Sequence, residues 1–157
     1  MFATTGFDAP LSLIARRAGV GQGSLYRHFP DRASIALAVF EDNISDLETV
    51  AAQPESTLDA VLSLMIDQLV DSIALIEMID PVTTDPRLVA LNMRMKNLFM
   101  GKLDIARAAG VIRRDVTTDD LLLALAMLAA LLARTDVSSR RDVAARAWAL
   151  LLEGLRK

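Results

Sequence analysis

A chain of 157 residues is long enough for one compact unit, or for a small head on a larger body. Apolar residues make up 53% of it but aromatics only 4%, so Leu, Ala, Val, Ile and Met must fill the core, a set that favours helix packing over a β-sandwich. The absence of cysteine excludes disulfides, thiolate metal sites and cysteine nucleophiles, and the net charge of −3 counts, taken alone, against binding nucleic acid.

In chain order, Asp8-Ala9-Pro10 supplies a capping carboxylate and a helix-starting proline ahead of LSLIARRA. Gly19-Val20-Gly21 stops that helix, and a second short one, QGSLYRHF, runs to Pro30. Asp31 is placed to cap a longer helix that ends before Pro54. Two short helices joined by a glycine turn and backed by a third have the helix-turn-helix layout.

Beyond it, Ser56 or Thr57 opens a helix that Pro81 ends, and the loop PVTTDP leads into a long helix closed by Gly110. VIRRDV reads as extended or irregular. Thr117 to Asp120 cap LLLALAMLAALLART, and Ser138 or Ser139 opens the last helix, from RRDVAARAW onward. With no strand pair in sight, the expectation is an all-α protein: a helix-turn-helix head with its connecting helix at 1–52 and a helical body at 53–157.

The apolar run Leu121–Leu132 is too short to span a bilayer, and Leu58–Ile79 contains Asp67, Asp71 and Glu77. No basic segment precedes an apolar block at the start. A soluble, cytoplasmic chain is expected.

LLLALAMLAALLA is apolar nearly all round and needs cover on more than one side. The last helix adds a stripe of Val143, Ala147, Leu150, Leu151 and Gly154. An ordinary core would account for both. Their continuity and shared position at the end of the chain favour a four-helix homodimer seam, with Leu125, Leu128, Leu132, Val143, Ala147 and Leu151 at the interface.

Charge is unevenly distributed. Residues 1–40 hold four Arg against two Asp, +2, whereas residues 41–157 carry −5. A basic head on an acidic body suits a chain that meets phosphate at one end. Leu11, Ile14, Ala15, Ala18, Val20, Leu25 and Phe29 are spaced to tie two short helices together. That leaves Gln22, Gly23, Ser24, Tyr26, Arg27 and His28 outward, with side chains suited to base edges and phosphate oxygens.

Phe7, Ile14-Ala15, Ala18-Gly19-Val20, Gly21, Gly23, Leu25-Tyr26, His28-Phe29 and Arg32 together resemble the TetR-family DNA-binding signature, without a gap across residues 6–41. GVIRRDVTTDDLLLALAMLAALL is more loosely similar to the family's C-terminal segment. The resemblance implies that Gln22, Ser24 and Arg27 face base edges, and that Tyr26, His28 and Arg32 meet phosphates. It also implies a homodimer on a near-palindromic duplex, and a body that encloses a small-molecule effector. Met65, Gln68, Asn92, Met95, Phe99 and Met127 are the candidate lining, and ordinary core packing explains the methionines equally well.

Family members open with a full helix beneath the helix-turn-helix, and here only Met1–Thr5 overlay its last turn, so a shortened chain is expected. The function implied is a DNA-binding repressor released by an effector. The alternative is a helical ligand- or partner-binding dimer that has lost DNA binding with that helix. An enzyme is not expected: a single His and no Cys leave no nucleophile–base pair, and neither a cofactor nor a metal is called for.

Overall fold

A computed structural model describes residues 27–29, 31–76 and 85–156, and regular structure among them is helical. Five α-helices follow in order: α1 (Arg32–Ala51), α2 (Leu58–Ile76), α3 (Pro86–Ala108), α4 (Thr118–Ala133) and α5 (Arg140–Leu155).

Most helix ends are set by local chemistry. The Ser34 amide donates to Asp31 Oδ1 at 2.7 Å to start α1, and the Ala60 amide donates to Thr57 Oγ1 at 3.2 Å to start α2. α3 begins one residue earlier than the sequence suggests: Pro86 is its first residue, and Asp85 accepts from the Arg87 amide at 2.9 Å. Proline is well suited there, because the first turn does not need its missing N–H. Thr117 and Asp120 form a reciprocal capping box on α4.

α3 ends in a Schellman turn. Gly110 adopts φ 73°, the Val111 amide reaches the Ala106 carbonyl at 3.0 Å and the Gly110 amide reaches that of Arg107 at 3.1 Å. VIRRDV then runs past the end of α5, where the Arg113 amide donates to the Leu155 carbonyl at 3.0 Å and Ile112 pairs with Arg156 in an isolated bridge.

The start of α5 departs from expectation. A single 3₁₀ turn, Val137–Ser139, precedes it, and neither Asp136 nor Ser139 makes a side-chain cap. Ser139 lies in the helical region, at φ −103° and ψ −9°, not in the extended conformation that aims a capping hydroxyl at the next turn.

The core is built on α2, which touches each of the other four helices. Leu58, Val61, Leu62, Ile66, Leu69, Val70 and Ile73 join Phe99 and Leu103 of α3, Leu121, Leu125, Leu128 and Leu132 of α4 and Ala144 of α5 in one apolar cluster. Each large aliphatic chain buried there contributes roughly 1.5–3 kcal/mol. A smaller cluster, Leu37, Ile44 and Leu91, packs α1 on α3 with Phe40, Leu88 and Met95 at its edge. Charged pairs fasten the outside: Arg141 to Asp67 and Asp71, Arg156 to Asp59 and Lys96 to Asp119.

The capping box supplies the first test. Thr117→Ala leaves the Asp120 amide without its side-chain acceptor and should cost about 1 kcal/mol. Urea unfolding should show a lower midpoint with an unchanged slope.

Candidate functional site

Few of the residues expected to face DNA lie among the described ones. Arg27 and His28 are helical and exposed, and Phe29 behind them is half-buried. Asp31 then caps α1, and the hydrogen bonds from Ser34 hold its carboxyl below the ordinary carboxylate value. Arg32 opens α1. Its side chain, like Gln22, Ser24 and Tyr26 as a whole, lies outside the described residues.

α1 therefore joins the Arg27–His28 segment to the body, and it meets the body through α2 and α3. Leu47 enters the main cluster, while Leu37 and Ile44 enter the smaller one. Polar links set the register between these apolar contacts. Asn43 Nδ2 donates to Ser72 Oγ at 3.2 Å, and Gln68 Nε2 donates to the Asn43 carbonyl at 3.0 Å.

A charged clasp ties α1 to α3. Arg94 Nε and Nη2 donate to the two Glu48 carboxylate oxygens at 2.9 and 2.7 Å, and Nη2 also reaches Ser45 Oγ at 3.1 Å. Hydrogen bonding from Arg94 holds the Glu48 carboxyl below its ordinary value and raises the Arg94 guanidinium above its own. Sequence reading missed this pair. Its members are 46 positions apart, and no local pattern links them.

The six candidate lining residues separate in the structure. Met65 and Gln68, three apart on α2, share a face, and both are half-buried. Gln68 Oε1 is buried without a hydrogen-bond partner, which marks it as an open acceptor in the interior. On α3, Phe99 is wholly enclosed and Met95 packs against both apolar clusters. Asn92 is exposed, and Met127 is 54% exposed on the outer side of α4, so neither faces the interior.

The interface candidates separate too. Leu125, Leu128 and Leu132 are 5%, 1% and 0% exposed because they pack on the chain's own α2, and this inward face has no surface left for a partner. Val143, Ala147 and Leu151 are half-buried against the same core. The large apolar side chains left outward on α4 and α5 are Leu123, Met127, Leu131 and Leu150, at 59%, 54%, 44% and 66% exposure.

Comparison with known proteins decides what this architecture belongs to. Residues 1–39 match the profile described as bacterial regulatory proteins, tetR family. Residues 53–157 match that of the transcriptional regulator SbtR-like C-terminal domain. The chain belongs to the TetR family of transcriptional regulators. Solved structures of similar fold include the ketosteroid transcriptional regulator KstR2 of Mycobacterium tuberculosis, with 17% identity and a TM-score of 0.55 over 100% of this chain and 90% of that one. A gamma-butyrolactone receptor described as ArpA-like, with 19% identity and a TM-score of 0.55, covers 99% of this chain, which spans 82% of it. SCO3833 of Streptomyces coelicolor A3, a TetR-family member, has 17% identity and a TM-score of 0.54, with coverage of 99% and 87%. No curated protein matches.

In this TetR-family chain the described residues include no helix long and apolar enough to cross a membrane. They also include no group of three or more His, Cys, Asp or Glu placed to hold a metal ion.

The clasp gives a pH test. With 34% and 42% of their side chains exposed, Arg94 and Glu48 are screened by solvent, so the pair contributes only weakly to stability. Because the folded carboxyl is depressed, that contribution is present above the unfolded value and is lost as pH falls through the folded one. Arg94→Ala should lower the urea midpoint at pH 7, and its difference from wild type should shrink as Glu48 protonates in acid.

Proposed function

We propose that this regulator is a homodimeric repressor that inserts the helix ending in Arg27 and His28 into the major groove and leaves its operator when a small molecule binds the body. The observation that carries the reading is the TetR-family match over residues 1–39, within which the described Arg27 and His28 are helical and exposed. Arg27 reads a base edge, with Gln22 and Ser24, while Tyr26, His28 and Arg32 hold phosphates. Two-fold symmetry of the protein requires a near-palindromic operator with half-sites a helical turn or more apart.

The second copy docks on the outward apolar face of α4 and α5, built on Leu123, Met127, Leu131 and Leu150. Leu123, Met127 and Leu131 recur every fourth residue along α4, an exposed apolar stripe that is unfavourable in water and that a two-fold copy would cover with itself. The small-molecule effector contacts the interior between α1, α2 and α3, near Gln68, Met65 and Met95. The buried acceptor Gln68 Oε1 supports an effector that offers a hydroxyl or N–H donor. No catalytic step is involved. The alternative, a ligand-binding helical dimer without DNA affinity, differs in one measurable respect.

That respect is DNA binding. Fluorescence anisotropy with the gene's own upstream DNA across a salt series should give saturable binding with a steep salt slope. No binding to that DNA, nor to any duplex selected from a random pool, would establish the alternative. Arg27→Ala should weaken operator binding by about 1–3 kcal/mol and relax preference at one base position. Equal loss on every sequence would reassign Arg27 to phosphate.

The dimer has its own test. Met127→Lys with Leu131→Glu places charge on the outward face and leaves the inward Leu128 and Leu132 untouched. Sedimentation should then report a folded monomer where the wild type is a dimer.

A further inference from the structure

The Gln68 amide is half used at the joint between α1 and α2. Its Nε2 donates to the Asn43 carbonyl of α1 at 3.0 Å, while its Oε1 is buried with no hydrogen-bond partner. A buried acceptor left open carries the loss of its hydration uncompensated, so such atoms are few in native proteins. Turning the amide out to solvent would relieve that cost only by giving up the bond to α1.

The surroundings restrict which group can donate to Oε1. Among the described residues the buried polar side chains are Ser34 and Ser72, and no charged one is buried. Asp67 and Asp71, the acids nearest Gln68 along α2, are exposed and bond Arg141 of α5. On α1, Glu41, Asp42 and Asp46 are exposed, and Glu48 is held by Arg94 of α3. An ion brought in beside Gln68 would therefore lose its hydration with no opposite charge to meet it. Ser72, one turn further on, already accepts from Asn43 Nδ2 at 3.2 Å. Met65, one turn back on the same face and half-buried, offers an adaptable apolar side chain.

We infer that Gln68 recognises an uncharged, largely apolar ligand that donates one hydrogen bond to Oε1, and that this ligand tightens α1 on α2. The class of ligand follows from the open acceptor and from the lack of buried charge around it. The inference deepens the proposed function, since it takes its place from the interior effector site and adds what that site selects.

The direction of the response follows from the amide itself. Oxygen and nitrogen share one conjugated group, so a bond accepted at Oε1 polarises it and strengthens donation from Nε2 to Asn43. The ligand also removes the cost of the open acceptor, and it does so only while the amide points inward. It therefore favours the present seat of α1 over any in which the Gln68–Asn43 bond is broken.

The probe is 4-propylphenol, titrated into the full chain by calorimetry at pH 7 with no DNA present. Its methyl ether, 4-propylanisole, keeps the frame without the donor, and 4-propylbenzoate is the anionic control. The phenol should bind at one site per chain, about tenfold more tightly than the anisole, and the benzoate should not bind. Gln68→Met keeps the apolar stem but removes the acceptor, and should bring the phenol down to the affinity of the anisole. Ser72→Ala loosens the same joint but leaves Oε1 in place, so the preference for the phenol should persist. Hydrogen exchange at the α1 amides from Asn43 to Leu47 should slow several-fold with the phenol bound. No saturable binding of the phenol below about 1 mM, equal affinity for the anisole, a preference that survives Gln68→Met or one lost in Ser72→Ala each overturns the recognition. Unchanged or faster exchange in α1 overturns the tightening. Because no arm uses DNA, a chain that binds the phenol in this way yet ignores every duplex overturns the repressor reading alone.

Discussion

The body depends on one constraint: α2 must be covered on nearly every side. Ten of its nineteen residues are buried, and no single neighbour supplies that cover, so α1, α3, α4 and α5 all pack on it. Close packing then links their positions. α4 cannot shift without disturbing Leu125, Leu128 and Leu132, and α1 cannot shift without moving Leu47 against the same cluster. An arrangement of this kind responds to a ligand by moving between discrete packings, because dense cores do not deform smoothly.

Within that frame α1 is held differently from the rest. Apolar contact fixes how closely it lies but tolerates sliding, whereas the Asn43–Ser72 and Gln68–Asn43 hydrogen bonds and the Arg94–Glu48 clasp are directional and fix its register. The helix that continues from the Arg27–His28 segment is thus positioned by a few polar contacts laid over an apolar seat. Those contacts are where small changes in ligand or protonation act most strongly, since each is worth little alone and is lost completely when its geometry fails.

The helix ends were legible in the sequence because caps are local chemistry. Asp31, Thr57, Thr117 and Gly110 each act on an amide or carbonyl within a few residues, as the sequence pattern requires. Ser139 was not legible, because the backbone enters α5 through a 3₁₀ turn that propensity does not specify. The facing of α4 was also hidden. A helix apolar all round carries no phase, so only the neighbouring helices determine that Leu125, Leu128 and Leu132 turn inward while Leu123, Met127 and Leu131 turn out. The family could be read from a dense local motif, within the residues 1–39 that match the tetR profile. The Glu48–Arg94 contact could not, because it exists only once two distant helices are packed.

Magnitudes bear on where a ligand would have to act. The Arg94–Glu48 clasp is open to solvent, and an ion pair screened in this way biases an equilibrium only weakly. Moving a two-state population from mostly bound to mostly free takes about 5 kcal/mol of differential affinity. Under the proposed function, release from DNA would therefore draw on contacts in the interior and not on the clasp. There a ligand that donates to the unpaired buried acceptor at Gln68 would gain a hydrogen bond away from solvent, a larger effect than a surface ion pair supplies. Because α2 carries that interior contact on one side and packs against α4 on another, a rearrangement at Gln68 reaches α1 and the outward face of α4 through the same helix. Two copies docked on that face would then change the spacing of their DNA-facing helices together, with no separate relay.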